Sequence, residues 1–354
     1  MAREIIVTDP RDNGRSRPYG RFDRFALRFV KDERDLPFAH LIAQMSLTLI
    51  PGVVLLFQPG ILSPWDAYSP LFAVAYWAVL YLLFVDRYIL MLHCTSHRPC
   101  FYKPYRWINR WLVWVLGPLC GETPETYYAH HMGMHHVEGN LPDDLSSTMR
   151  FRRDSIIDFM RYFLRFFFGA MFELGYYHYS RRRYSLLKRM IMGEWSYIIV
   201  VVALATFVNL EATLVVFVAP VVTTRFLMMA GNWSQHAFID PRDPASDYKS
   251  SIVCINTRYN RRCFNDGYHI GHHVKANRHW TEMPDDFLDN RARYAAEGAV
   301  VFEGIDYFQI WVLLMLKRYD VLARHFVELG ERQRSQAEIV AYLRARTQPV
   351  RPVA

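Results

Sequence analysis

The stretch LFAVAYWAVLYLLFV, residues 71–85, runs for fifteen residues without a charge. A helix rises about 1.5 Å per residue, so with polar-tolerant flanks this segment reaches the ~20 residues needed to cross a bilayer. Reading on, Asp86-Arg87 interrupts the apolar run before YILMLHCTSH. A charge at the bilayer centre costs roughly 3 kcal/mol. The helix is therefore expected to leave the membrane near residue 86 and to carry His93 and His97 out beyond it. Leu41–Phe57, Tyr197–Val208 and Leu214–Val222 repeat the apolar pattern. Together they predict four spans, at about 39–58, 69–92, 190–209 and 212–231, arranged as two hairpins. Pro51-Gly52 falls inside the first and is expected to kink it.

Composition agrees. Hydrophobic residues are 52% and aromatics 16% of the chain, well above the habit of a soluble enzyme. The N-terminal twenty residues carry no apolar core, so no cleaved signal peptide is expected. Net charge is +8, but its distribution argues against a nucleic-acid binder. Residues 1–38 hold nine Lys/Arg and residues 98–189 hold fourteen, whereas the turns Gln58–Pro70 and Asn209–Ala212 hold none. That asymmetry places both termini and the long middle segment in the cytoplasm. The five cysteines (Cys94, Cys100, Cys120, Cys254, Cys263) show no CxxC pairing, as suits a reducing compartment.

Residues 1–38 read as a basic cytoplasmic arm, 39–285 as the membrane domain and 286–354 as a cytoplasmic helical tail. Within the middle segment, Ser155–His178 is apolar but broken by Asp158, Arg161 and Arg165. A helix lying on the membrane surface is the preferred reading. A short apolar stretch at Tyr307–Leu316 is expected to touch the membrane too.

Nine of the 14 histidines fall in four clusters. His93-Cys-Thr-Ser-His97 ends the second span. His131-Met-Gly-Met-His135-His136 follows, with His130 just before it. Asn232-Trp-Ser-Gln-His236 ends the fourth span, and His269-Ile-Gly-His272-His273 comes last. Helical residues three or four apart share a face, so 93/97, 131/135, 232/236 and 269/272/273 are each expected to aim at a common target. The predicted topology brings all four clusters to one side of the membrane. Neutral imidazole suits zinc, copper, iron and nickel. A zinc site takes three or four protein ligands, so nine imidazoles overfill one metal but furnish two. No Glu follows His93 or His131, which argues against an HExxH zinc protease.

In these motifs the chain resembles the membrane fatty acid desaturase superfamily, which also holds alkane hydroxylases and carotenoid ketolases. The pattern HxxxH, HxxxHH and HxxHH, flanked by two transmembrane hairpins, covers about residues 40–285. The resemblance implies a di-iron centre on His93, His97, His131, His135, His136, His236, His269, His272 and His273. It also puts Asn232 where acyl-CoA desaturases carry an asparagine that reaches one iron through water. The third box opens with His269 rather than Gln, unlike a front-end desaturase. Asp86, Asp143, Asp144, Asp240, Asp266 and Glu282 are candidates to orient the imidazoles, and His279 is expected either to be structural or to support a ligand. Arg181-Arg182-Arg183 suits acidic headgroups. Arg258, Arg261, Arg262 and Arg278 suit a CoA phosphate or a carboxylate.

The expectation is therefore an all-α integral membrane enzyme with four spans and a cytoplasmic helical cap holding two iron ions, with O2 as co-substrate. The leading activity is fatty acyl desaturation. Decarboxylation to a terminal alkene and lipid or alkane hydroxylation are the alternatives from the same centre. A metal-binding transporter or sensor is the rival of a different class, and the uncharged cores of the spans weigh against it. The sequence has no HPGG haem motif, no ferredoxin cysteine run and no GxGxxG fingerprint. Electrons are expected from a separate ferredoxin or cytochrome b5 type partner, met through the Arg-rich face.

Overall fold

The structure is a computed structural model that describes residues 5–11, 18–63 and 68–350. Positions 1–4 and 12–17 of the basic arm, 64–67 of the first turn and 351–354 of the tail lie outside the described residues. Four helical stretches are long and apolar enough to cross a membrane: Glu33–Leu56, Ser69–His97, Tyr184–Phe207 and Leu210–Gln235. They match the four predicted spans to within a few residues.

The first stretch contains α1 (Leu36–Leu56), which runs on through Pro51. The second is α2 (Ser69–Val79), a π-turn at Leu80–Phe84, and α3 (Val85–His97), which carries the first histidine box. The segment expected to lie on the membrane surface forms α4 (Ile156–Ser180), followed by α5 (Tyr184–Phe207). A second π-turn at Leu214–Val218 precedes α6 (Ala219–Gln235). These spans leave Leu47, Leu71, Leu82, Ile199, Val202 and Phe207 exposed. Such a surface would drive aggregation in water and is stable in lipid.

Two compact units divide the chain, one of residues 14–133 and 175–225, the other of 1–13, 134–174 and 226–354. In the first unit the chain entering α1 pairs with the chain leaving α3. Lys31 N–H donates to Cys100 O and Tyr102 N–H to Phe29 O, beside an Arg98–Asp32 ion pair of 3.1 Å. Trp77 Nε1 donates to Val215 O at 2.9 Å and Tyr197 Oη to Phe217 O at 3.0 Å, both carbonyls of the π-turn before α6. A π-turn widens the hydrogen-bond spacing to i→i+5.

The second unit departs from an all-α fold in one place. Strands β1 (Ile252–Ile255) and β2 (Val300–Glu303) pair in parallel, Ile252 opposite Val300 and Cys254 opposite Phe302. Each strand is buried on both faces, as a covered parallel pair must be. Ile252, Cys254, Val300 and Phe302 face one core with Ile310, Leu314, Leu322 and Leu343. Val253, Ile255 and Val301 face another with Tyr268, Ile270, Phe287 and Tyr294. The crossover between the strands holds the third box on α7 (His269–Val274), so the sheet's second core seats that box through Tyr268 and Ile270. Four-residue strands without turn signals leave little periodicity, which is why they escape a reading of the sequence. Tyr307–Leu316 forms α8 (Tyr307–Met315), whose Tyr307, Ile310 and Leu314 are buried in the first of these cores.

Arg153 is a further anchor of this unit. Its guanidinium is buried and donates to the carbonyls of Ala237, Thr148, Met149, Phe151, Arg346 and Gln348. Burial holds its pKa down to about 9. Six carbonyl partners are what allow a charge to sit there.

Gly193 of α5 tests the packing of the first unit. A Cβ built on it would lie 1.7 Å from Pro124 O, whereas one on Gly231 of α6 would meet nothing within 4 Å. Gly193→Ala is expected to cost about 1–3 kcal/mol by overpacking. Gly231→Ala is expected to be neutral, or to stabilise by up to ~1 kcal/mol through helix propensity. Thermal unfolding in detergent compares the two, and equal melting temperatures would contradict this packing.

Candidate metal centre

The second unit gathers four imidazoles. His135, His236, His269 and His273 each offer a ring nitrogen, and these atoms all lie within 4.8 Å of one another. Three of the residues are buried and His273 is only partly exposed. His269 Nε2 sits 3.3 Å from His236 Nε2 and 3.0 Å from His273 Nε2. His135 joins by ring contacts to His236 and His273 at 5.4 and 5.3 Å between centroids. In the same unit His272 Nε2 lies 2.9 Å from His136 Nε2.

The protons on two of these rings follow from their partners. His236 Nδ1 faces Ser250 O at 2.9 Å. A carbonyl only accepts, so Nδ1 carries the proton and Nε2 presents its lone pair to the group. His135 Nδ1 stands 2.7 Å from Asp144 Oδ2, both side chains buried. Asp144 Oδ1 accepts in turn from Ser146 N–H and Oγ–H at 2.8 and 2.7 Å. Burial, reinforced by the neighbouring imidazoles, holds His236 down to about 3 and His273 well below the usual histidine range. These two rings therefore stay neutral, the form that binds metal.

The spacing fits an ion. Two imidazole nitrogens about 2.1 Å from one metal lie ~3 Å apart when they subtend a right angle. The observed Nε2 separations of 2.9–3.3 Å are of that size. Residues that could hold a metal in this unit are thus His135, His236, His269 and His273.

The first unit holds a separate triad. His93 and His97 of α3 stand with His131, His97 Nε2 lying 3.0 Å from His131 Nε2 and the His93 and His131 rings 4.6 Å apart. Tyr127 stacks on His131 at 5.1 Å. His178 is wholly buried in this unit, its Nε2–H donating to Ala129 O at 3.1 Å.

The expectation that each box aims at one target holds for 93/97 and for 269/273, and it fails for 131/135 and for 272. His272 turns to His136 rather than joining His269 and His273. His131 groups with His93 and His97, whereas His135 groups with His236. The cause is local. Residues His131–His135 form a π-turn, so i→i+5 spacing replaces the assumed α-helical face. The Asn232 carbonyl accepts the His236 N–H at 3.1 Å. Asn232 Nδ2 donates to Ser146 O at 2.9 Å and Tyr162 Oη at 2.7 Å, one residue pair away from the Asp144–His135 contact.

Of the other candidates, Asp144 is bonded to a box histidine. Asp240 pairs with Arg242 and Arg346, Asp266 accepts from Gln235 and Tyr259, and Asp86 accepts the Arg87 backbone N–H. His279 Nδ1 accepts from Thr281 N–H at 3.2 Å. Arg278 is committed to Asp286 at 2.7 Å and to Gly271 O, so it is not spare for a substrate anion. Ser146, Tyr162 and Ser250 escaped the sequence reading, because a serine or tyrosine carries no motif of its own.

Four membrane-length apolar helices and two clusters of converging imidazoles define an integral membrane protein with a histidine-rich metal-binding character. Residues 72–304, well over half the chain and including all nine box histidines, match the family model for fatty acid desaturase. The chain belongs to the fatty acid desaturase family, which makes it an oxidoreductase with a fatty acyl substrate class. Neither a curated protein nor a solved structure gave a significant match.

Asp144 sets a direct test of this geometry. Replacing the carboxylate that orients a metal-binding histidine typically costs about 10–100-fold in metal affinity. Asp144→Ala is expected to lower the affinity for a metal at the His135 group by that order. Asp240→Ala, which touches no box histidine, should leave it unchanged, and metal titration of both variants checks the pair.

Proposed function

We propose that this chain is an O2-dependent di-iron fatty acid desaturase. The observation that carries the reading is the convergence of His135, His236, His269 and His273, inside a segment that matches the desaturase family. These four are assigned to one iron. By the family's nine-histidine pattern His93, His97, His131, His136 and His272 complete the ligand set, with Asn232 as a water-linked neighbour of one metal. The donor chemistry fits: all nine ligands are imidazoles, which suit iron.

The reaction removes one hydrogen from each of two adjacent carbons of an acyl chain. O2 is reduced to two waters by those hydrogens, two further electrons and two protons. Bound iron supplies the activation of O2 needed to break an unactivated C–H bond. The protein's own residues do the positioning. Asp144 and the Ser250 carbonyl hold His135 and His236 in the tautomer that carries its proton on Nδ1. Tyr162 and Ser146 fix the Asn232 amide beside them. The apolar spans place the chain in the bilayer that holds its substrate. Residues 39–285 form the catalytic membrane domain in this reading, with 1–38 and 286–354, like the metal centre, on the cytoplasmic side. Electrons come from a separate acidic redox partner of ferredoxin or cytochrome b5 type.

A host expressing the chain is expected to gain an internal double bond in its acyl lipids, and His135→Ala or His236→Ala to abolish it. Purified protein should carry close to two irons per chain and turn over only when a redox partner is added. Release of a 1-alkene one carbon shorter than a supplied acid, with lipids unchanged, would replace desaturation by decarboxylation. Full activity in a zinc-only preparation would sink the di-iron assignment.

A further inference from the structure

The segment 5–11 lies outside the residues that match the family model, yet it reaches the third histidine box. Asp9 is 4% exposed. Its Oδ2 accepts three hydrogen bonds: from Asn256 N–H at 2.7 Å, from Asn260 Nδ2 at 2.9 Å and from Tyr268 Oη at 2.6 Å. All three donors belong to the loop between β1 and α7. Flanking bonds tie the same two stretches together. Thr8 N–H donates to Asn256 Oδ1, Asn256 Nδ2 to Ile6 O, and Asn265 Nδ2 to Pro10 O.

We propose that Asp9 is a positioning residue for the third histidine box, acting through Asn260 and Tyr268. The route is short. Asn260 also donates to Cys254 O at 2.8 Å, the end of β1, and its Oδ1 accepts from Gly267 N–H at 2.9 Å. Gly267 is pressed so close that a Cβ there would lie 2.3 Å from Asn260 Oδ1 and 2.4 Å from Cys254 O. Tyr268 comes next, and His269 follows it. Tyr268 O accepts the N–H of His272 at 3.1 Å, so the first turn of α7 hangs on this residue. Its ring is buried against Ile270, Phe287 and Tyr294. A displaced Tyr268 therefore moves His269 and His272 together.

A buried carboxylate is costly unless its charge is answered by hydrogen bonds. Here all three donors converge on Oδ2 and come from one loop, so the loop is held in the arrangement that answers that oxygen, while Oδ1 is buried without a partner. Metal ligands must be held to within about 0.5 Å, and the strap supplies that restraint from a part of the chain remote in sequence. The family's histidine pattern contains no such residue.

This inference rests on the metal-centre reading. The test is Co(II) titration of the metal-depleted full-length chain in detergent, followed by its ligand-field absorption, alongside thermal unfolding. Asp9→Ala and Tyr268→Phe are expected to weaken Co(II) binding about three- to tenfold, below the ~10–100-fold seen when a ligand's direct partner is lost. Asp9→Asn, which keeps one acceptor oxygen, should fall between these and wild type. Thr8→Ala, which trims the strap but spares the carboxylate, should bind as wild type does. Tyr268→Phe keeps the buried ring and decides the matter if Asp9→Ala does not fold. Wild-type affinity in Tyr268→Phe overturns the proposal, as does equal weakening in Thr8→Ala. No Co(II) binding by the wild-type chain would overturn the metal-centre reading itself.

Discussion

Imidazole lone pairs brought to within about 3 Å of one another have no proton to share when each ring's other nitrogen already holds it. His236 and His135 hold their protons on Nδ1, engaged by Ser250 O and Asp144, which leaves the Nε2 lone pair of each for the group. His269 and His273 crowd the same point at 3.0 Å. Protonation would relieve the repulsion, but burial opposes it and drives His236 and His273 far below the ordinary histidine range. A cation that accepts several nitrogen donors removes the conflict, and the rest of the second unit is arranged to keep the donors where that cation would be.

The supports come from several parts of the chain. Thr148 Oγ1 donates to His236 O and Arg153 Nε to Ala237 O, so the backbone after α6 is clamped from the segment 148–153. The aromatic cluster of Phe159, Tyr162, Phe163 and Trp233 packs α4 against the end of α6, one turn from Asn232 and His236. The parallel strands seat α7 from beneath. A set of soft contacts would leave ligand positions loose, and dense packing with satisfied polar groups is what gives a site its geometry. The polar network is also why loss of a single carboxylate matters here: in a low dielectric an unanswered donor is costly.

The π-turns are the other recurring device. They interrupt the second and fourth membrane-length helices and the second histidine box. Such turns are concentrated at functional sites in proteins, and in the box the consequence is direct. His131, His135 and His136 do not divide as an α-helical wheel would divide them, which lets one short motif serve two groups of ligands.

Much of this protein is legible in its residues alone. Apolar runs such as 71–85 are long because lipid leaves the backbone no partner but itself, so the four spans could be read with little tertiary information. The histidine clusters and Asp144 were legible too, since metal ligands must be of a few types and lie near one another. What only the tertiary structure decided is the sorting: which imidazole meets which, and what holds it. His272 with His136, Asn232 with Tyr162, and Asp9 with Tyr268 join residues that are 136, 70 and 259 positions apart. No local periodicity links such pairs. They are set by how the cores around β1 and β2 and the end of α6 pack, and by the hydrogen bonds that the buried polar groups there form across the chain.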